Sequence, residues 1–244
     1  MHTAPGTALP PLDKPRFTGA HIVRWMAAQQ NWDRIHFDHA YCTELAGPKA
    51  PVINGALKQH LIMQFLASAL PGAWPWRVDY QFTGPDYVGE KLQVRGTCGA
   101  THEAGGRSFL EVQVEIVNLD RDEVTTRGKA VVILPGATGE TVLDGLGVAG
   151  PEGMALPLDP SAADPAMPAH INACLGVELE RRESVYPLDL SRLRLFADAV
   201  MDLDPVHFDP TAPNPWGAVV APPLFPLHGL EGLAGSFPLA FFGM

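Results

Sequence analysis

Apolar residues along this chain change their spacing in a way that divides it into elements. Thr18 is a plausible N-cap for a first helix carrying Ile22, Trp25 and Met26. A Gly/Pro/Ala segment from Gly47 to Pro51 leads into Val52-Ile53-Asn54-Gly55. A stronger helix follows, with Leu57, Leu61, Ile62, Phe65, Leu66 and Ala69 on one apolar face until Pro71-Gly72 stops it. The period then falls to two. Trp76, Val78, Tyr80 and Phe82 alternate with polar residues, as do Leu110, Val112, Val114 and Ile116 with Glu111, Gln113 and Glu115. With Lys91 to Cys98 and Val124 to Leu134 this gives four antiparallel strands, separated by turns at Gly84-Pro85, Glu103 to Gly106 and Asn118 to Asp122. A long helix followed by a meander is an α+β layout, with the helix laid across a curved sheet.

The pattern predicts a Pro-rich leader over 1–15, a complete helix-and-sheet domain over 16–135, a Gly/Pro/Ala/Asp-rich linker over 136–172 and a second unit over 173–244. The second unit opens with a helix through Leu190, Leu193, Phe196, Ala197 and Val200. Past Pro222-Pro223 no alternating strand follows, so this unit reads as the helical half of a domain. Its apolar residues Phe237, Leu239, Phe241 and Phe242 would then need cover from elsewhere.

Each unit delivers the same motif where its first helix ends. Asn31-Trp-Asp-Arg-Ile-His36-Phe-Asp38 returns as Asp202-Leu-Asp-Pro-Val-His207-Phe-Asp209. Val52-Ile53 is matched by Val219-Val220 after a slightly shorter loop, so the repeat is one of architecture. Both copies gather proton-handling side chains in one short loop, which makes His36 and His207 candidates for acid–base chemistry. His21, His39, His60, His102, His170 and His228 have no such context and read as structural or exposed. Asp38 and Asp209 read as caps, and the aromatic group Trp74, Trp76, Tyr80 and Phe82 as sheet core.

Composition narrows the partners. A formal charge of -10, from 17 Lys+Arg against 27 Asp+Glu, disfavours nucleic acid and anionic membrane surfaces, and no basic run offsets it. An anionic ligand would need a local patch from residues such as Lys58, Arg77, Lys91 and Arg95. Cys42, Cys98 and Cys174 form neither a disulfide framework nor a metal-ligand pattern and read as reduced thiols. The first residues lack the features of a signal peptide, and no apolar run reaches the ~18 residues of a membrane span, so a cytoplasmic protein is expected.

The second copy, Asp202-x-Asp-Pro-x-His207-x-Asp-Pro210, resembles the D-x-N-P-x-H-x-D-P signature of the MaoC-like (R)-specific enoyl-CoA hydratases, and the first is similar to a variant of it. Val52-Ile-Asn-Gly55 stands where that family has an apolar pair, a His and a helix-opening Gly. The resemblance implies a hot-dog fold. It also implies hydration or dehydration of an acyl-CoA thioester of the fatty-acid type, without metal or redox cofactor, coenzyme A entering only with the substrate. Assembly through hot-dog sheets, as a homodimer or hetero-oligomer, is implied too. In such a site the carboxylate and imidazole activate one water, and the amide of the helix-opening glycine polarises the thioester carbonyl; unpaired N–H groups at a helix start suit a developing enolate.

Each copy departs from the signature once. In the first, Asn31 holds the acidic position and Asp33 that of the family's asparagine. In the second, Asp202 and His207 are intact, but Ala221-Pro222 replaces the His-Gly pair, and proline has no N–H. On a subfamily variant of the motif the first unit is preferred. His36 would act as base, Asn31 or Asp33 would orient it or the water, Gly55 would hold the carbonyl, and Asn54 and Lys58 would contact substrate. Asp202 and His207 form the rival site. A hot-dog thioesterase and a silent subunit completing a partner's site are the other two readings.

Overall fold

The computed structural model describes residues 3–136, 150–152, 154, 167–173, 189–214 and 216–225. Helix α1, Gly19–Gln29, starts at Thr18 with a full capping box in which His21 answers the Thr18 cap. A 3-10 turn over Arg34–His36 and the short α2, His39–Tyr41, lead through a π turn at Cys42–Ala46 to the long helix α3, Gly55–Ala69. Asp38 caps α2 through the Tyr41 N–H. Four long strands follow: β2 Trp74–Phe82, β3 Leu92–Ala104, β4 Arg107–Asn118 and β5 Glu123–Ile133. They form one antiparallel sheet of order β1-β3-β4-β5-β2, where β1 is Leu12–Asp13. The stretch expected as a leader is thus a sheet edge. Leu12 pairs with Val94, and Ala8 bridges to Thr97. Two residues flanked by prolines carry no strand pattern, because it is β3 that supplies the hydrogen bonds.

Helix α3 lies against the sheet and buries residues around most of its circumference, including Leu57, Leu61, Ile62, Phe65 and Leu66. It comes close enough that Gly96 on β3 sits beneath the Phe65 ring; a Cβ there would lie 2.6 Å from that ring. The sheet faces α3 with Val94, Val112, Val114, Ala130 and Val132, all in one core with α1. The aromatics of β2 are sheet core in part: Trp74 and Trp76 pack on Phe109, Val131 and Ile133 and Tyr80 on the main core, while Phe82 is exposed. Because β2 is the other edge strand, its residues are half-buried or exposed, and Trp74 also turns onto Trp216, 5.6 Å between centroids.

Among the described residues the second unit contributes α4 (Ala169–Asn172), α5 (Leu190–Ala199), a 3-10 turn over Pro205–His207 and the segment to Phe225. Helix α4 falls at the end of the expected linker, most of which, with Cys174, His228 and the apolar residues after Phe225, lies outside the described residues. Helix α5 packs on α1. Phe196 stands edge-on to Trp25 at 5.8 Å and to Phe225 at 4.9 Å, so both units share one apolar core. Each fully buried ring contributes roughly 1.5–3 kcal/mol to that shared core.

A buried polar cluster closes the opposite side. Lys58 of α3 meets Asp86 at 2.7 Å, with 3% and 0% of the two side chains exposed. Asn118 and Thr125 donate to the Asp86 oxygens. Burial pulls the Lys58 ammonium below its ordinary pKa even against the raising effect of Asp86.

Gly96→Ala should destabilise the protein by about 1–3 kcal/mol, read from urea unfolding, since Phe65 is buried and has no room to give. Lys58→Met, by leaving the buried Asp86 with only the more distant Arg121, 3.6 Å away, as a cationic partner, should cost roughly 3–5 kcal/mol, most of it recovered in the Lys58→Met, Asp86→Leu pair. A small loss in the single variant would show that water reaches this cluster.

Candidate active site

The duplication holds atom for atom. After α1 the chain turns through Gln30 at φ 57°, and after α5 through Met201 at φ 54°. The Asn31 N–H reaches back to the Met26 carbonyl and the Asp202 N–H to that of Ala197. Asn31 Oδ1 accepts from the Asp33 N–H and Asp202 Oδ1 from that of Asp204. Asp33 and Asp204 then cap the two 3-10 turns through the N–H groups of Ile35 and Val206. Each turn ends on a buried imidazole whose Nδ1 faces a backbone carbonyl, that of Val52 at 2.8 Å or of Val220 at 2.6 Å. This pairs Val52 with Val220, one residue on from the expected match, so Pro222-Pro223 stands opposite Asn54-Gly55.

What differs is the group facing Nε2. At His36 it is Asn54 Nδ2, 3.0 Å away. The Asn54 oxygen is already taken by the N–H groups of Ala56 and Leu57 at the start of α3 and by the Trp25 indole N–H at 3.2 Å. That fixes the amide with its NH2 toward the imidazole. Asn54 therefore donates, His36 Nε2 accepts, and Nδ1 carries the proton given to Val52. Both ring nitrogens are committed, so this histidine takes no proton from a water unless Asn54 moves.

The other residues expected around His36 are elsewhere engaged. The side chains of Asn31 and Asp33 bond backbone N–H groups of their own turn and do not reach the ring. Asn54, expected at the substrate, is a helix cap and the ring's partner. Lys58 is held by Asp86, though it lines the cleft. His36 and Gly55 do converge on one open cleft of about 470 Å³, with Phe82 across from them. The first amide of α3, at Gly55, makes no hydrogen bond with a described residue. The cleft thus offers an amide N–H at Gly55 and an imidazole whose two nitrogens are both engaged.

At His207 the Nε2 neighbour is Asp202 Oδ2, 3.2 Å away, with 8% and 14% of the two side chains exposed. With Nδ1 donating to the Val220 carbonyl, a contact between Nε2 and a carboxylate oxygen requires one proton between them. Burial works against the charged ring, but the Asp202 hydrogen bond, the Val220 carbonyl and the charges of Asp202 and Asp204 outweigh it, and the His207 pKa is raised. The pair is an acid and a base joined by one proton.

Asp202 and His207 open on a cavity of about 420 Å³ between the two units, bounded by Trp74, Trp216, Val206, Val220 and the end of α3. That volume suits a small ligand, and the lining is mostly apolar with a few convergent polar groups. Two of those groups come from the first unit. Lys14 Nζ donates to Gln64 Oε1 at 2.7 Å and to the Met201 carbonyl at 2.8 Å, while Gln64 Nε2 donates to the Val200 carbonyl at 2.8 Å. They hold the left-handed turn that presents Asp202. The sequence carried a trace of Gln64, a polar residue seven after Leu57 on the apolar face of α3. It carried no sign of Lys14.

Among the described residues no group of three His, Cys, Asp or Glu side chains gathers as metal ligands would, and no helix is long and apolar enough to cross a membrane. Cys42 and Cys98 are buried free thiols whose pKa values burial raises.

No family model and no curated protein sequence matches the chain. Solved structures do. A putative MaoC domain protein dehydratase from Chloroflexus aurantiacus superposes with a TM-score of 0.56 at 13% identity, over 89% of this chain and 67% of that one. An (R)-hydratase from A. caviae involved in PHA biosynthesis gives 0.49 at 24% identity, over 54% of this chain and 97% of its own. An R-hydratase from Pseudomonas aeruginosa gives 0.48 at 19%, over 54% and 82%. The first match runs across most of the chain, and it shows that the fold built here around α3 is the hot-dog fold of the MaoC-like dehydratases.

Proposed function

We propose that this protein is a hydro-lyase that adds water to, or removes it from, an α,β-unsaturated acyl-CoA thioester, and that the Asp202–His207 pair carries the chemistry. The observation behind the reading is the 3.2 Å contact between His207 Nε2 and Asp202 Oδ2 beside a mostly apolar cavity. Hydration needs one proton taken and one given. In the proposed step a water sits against the pair, Asp202 accepts its proton as the oxygen bonds to Cβ, and the Nε2–H of His207 is delivered to Cα. The proton left on the carboxylate then passes to Nε2, which restores the starting state. A positioned acid–base pair of this kind contributes on the order of 10²- to 10⁴-fold. Trp74, Trp216 and Val220 would line the acyl portion. The first unit supports the cavity and keeps His36 as a structural member. Assembly of two chains, or of this chain with a related one, through sheet edges belongs to the same reading.

Asp202→Asn and His207→Ala should each lower hydration of crotonyl-CoA by 10²-fold or more, followed as loss of the enoyl-thioester absorbance. His36→Gln should retain activity within a few-fold in the folded fraction. The reverse pattern would return the chemistry to the first unit, and release of free thiol without a hydroxyacyl product would select a thioesterase.

The raised His207 pKa sets a pH dependence. Its stabilising contribution is complete below the ordinary imidazole value near 6.5 and is lost as pH rises through the higher folded value. An NMR titration of His207 should therefore have its midpoint above 6.5, falling in Asp202→Asn, and hydration should decline over the range in which that proton is lost.

A further inference from the structure

Resting on that reading, we infer that Lys14 completes the active site by donating an N–H to the thioester carbonyl of the substrate, the post that Pro222 and Pro223 cannot fill. An enolate developing on that oxygen needs a donor in a place sheltered from water. In the first unit the equivalent post is a free amide, that of Gly55. In the second unit the matching positions are Pro222 and Pro223, neither of which has an N–H.

Lys14 has what the prolines lack. Its side chain is 5% exposed, and it lines the same cavity as Asp202 and His207. Of its three N–H groups two are fixed, on Gln64 Oε1 and the Met201 carbonyl. The third has no acceptor among the described residues. Asp202 is the charged group that acts on the ammonium, yet the two make no direct ion pair. Gln64, the other neighbour, is neutral. Burial pulls the ammonium down to about 8, with Asp202 opposing, which makes it a stronger donor to a developing oxyanion than an exposed lysine. The two fixed hydrogen bonds pre-orient Nζ, so little ordering is left to the moment of reaction.

The test uses the whole protein, with 13C=O-labelled butyryl-CoA as an unreactive probe and crotonyl-CoA as substrate. In the wild type the carbonyl stretch of bound butyryl-CoA should lie below its value in water. In Lys14→Met it should return toward that value, with kcat for crotonyl-CoA lowered 10²- to 10³-fold and KM changed far less. Lys14→Arg, which keeps a donor, should retain part of the shift and of the rate. An unshifted carbonyl in the wild type overturns the assignment without recourse to any variant. So does a Lys14→Met protein with lowered thermal stability but unchanged kcat, which would make Lys14 a brace for Met201 alone. If Asp202→Asn is inactive while Lys14→Met is not, only the lysine's role falls. If Asp202→Asn is fully active, the placement of the chemistry at the Asp202–His207 pair falls first, and the lysine's role with it.

Discussion

In both units a backbone carbonyl, that of Val52 or Val220, holds the imidazole by Nδ1 and thereby leaves Nε2 as the only nitrogen free to act. The character of each histidine then follows from one neighbour. An amide NH2 opposite Nε2 occupies that nitrogen's lone pair. A carboxylate in the same place demands a proton and holds it where a substrate can reach. Two copies of nearly identical backbone geometry therefore have opposite chemical capacities, and the difference lies in a single contact at about 3 Å.

The same division runs through the rest of the two sites. In the first unit the amide that opens α3 has no partner among the described residues, and Asn54 bridges the helix start, the Trp25 indole and His36. The second unit has the carboxylate–imidazole pair, and Pro222 and Pro223 stand where Asn54 and Gly55 stand in the first. What joins them is the seam between units. Phe196 and Phe225 insert into the core beside Trp25, and Lys14 and Gln64 grip the turn before Asp202. The cavity beside the dyad is walled by both units, so neither unit alone would enclose it. The motif occurs twice, and the cavity beside its second copy is lined by residues of both units.

Much of this was legible in local pattern. Thr18 as a cap, the apolar stripe of α3, the alternation in β4 and the turns between strands all depend on residues within a few positions of each other, where period and turn chemistry speak directly. The motif repeat was equally plain, and Asp38 as a cap followed from its residue type. Other elements had no local signal. The edge strand at Leu12–Asp13 exists because β3 offers it hydrogen bonds, and the aromatics of β2 are half-buried because that strand ended up at the other edge.

The sequence by itself determined the α+β layout, the duplication and the small set of side chains able to move protons. It did not determine which of the two histidines has a lone pair or proton to use. That was decided by partners far along the chain: Asn54 for His36, and for Asp202 the grip of Lys14 and Gln64 on the preceding turn, across 187 and 136 positions. The physical reason is that a hydrogen bond is settled by distance and direction in space. Periodicity records which face of an element is buried, and it carries nothing about which polar atom will stand across from another once those faces have packed.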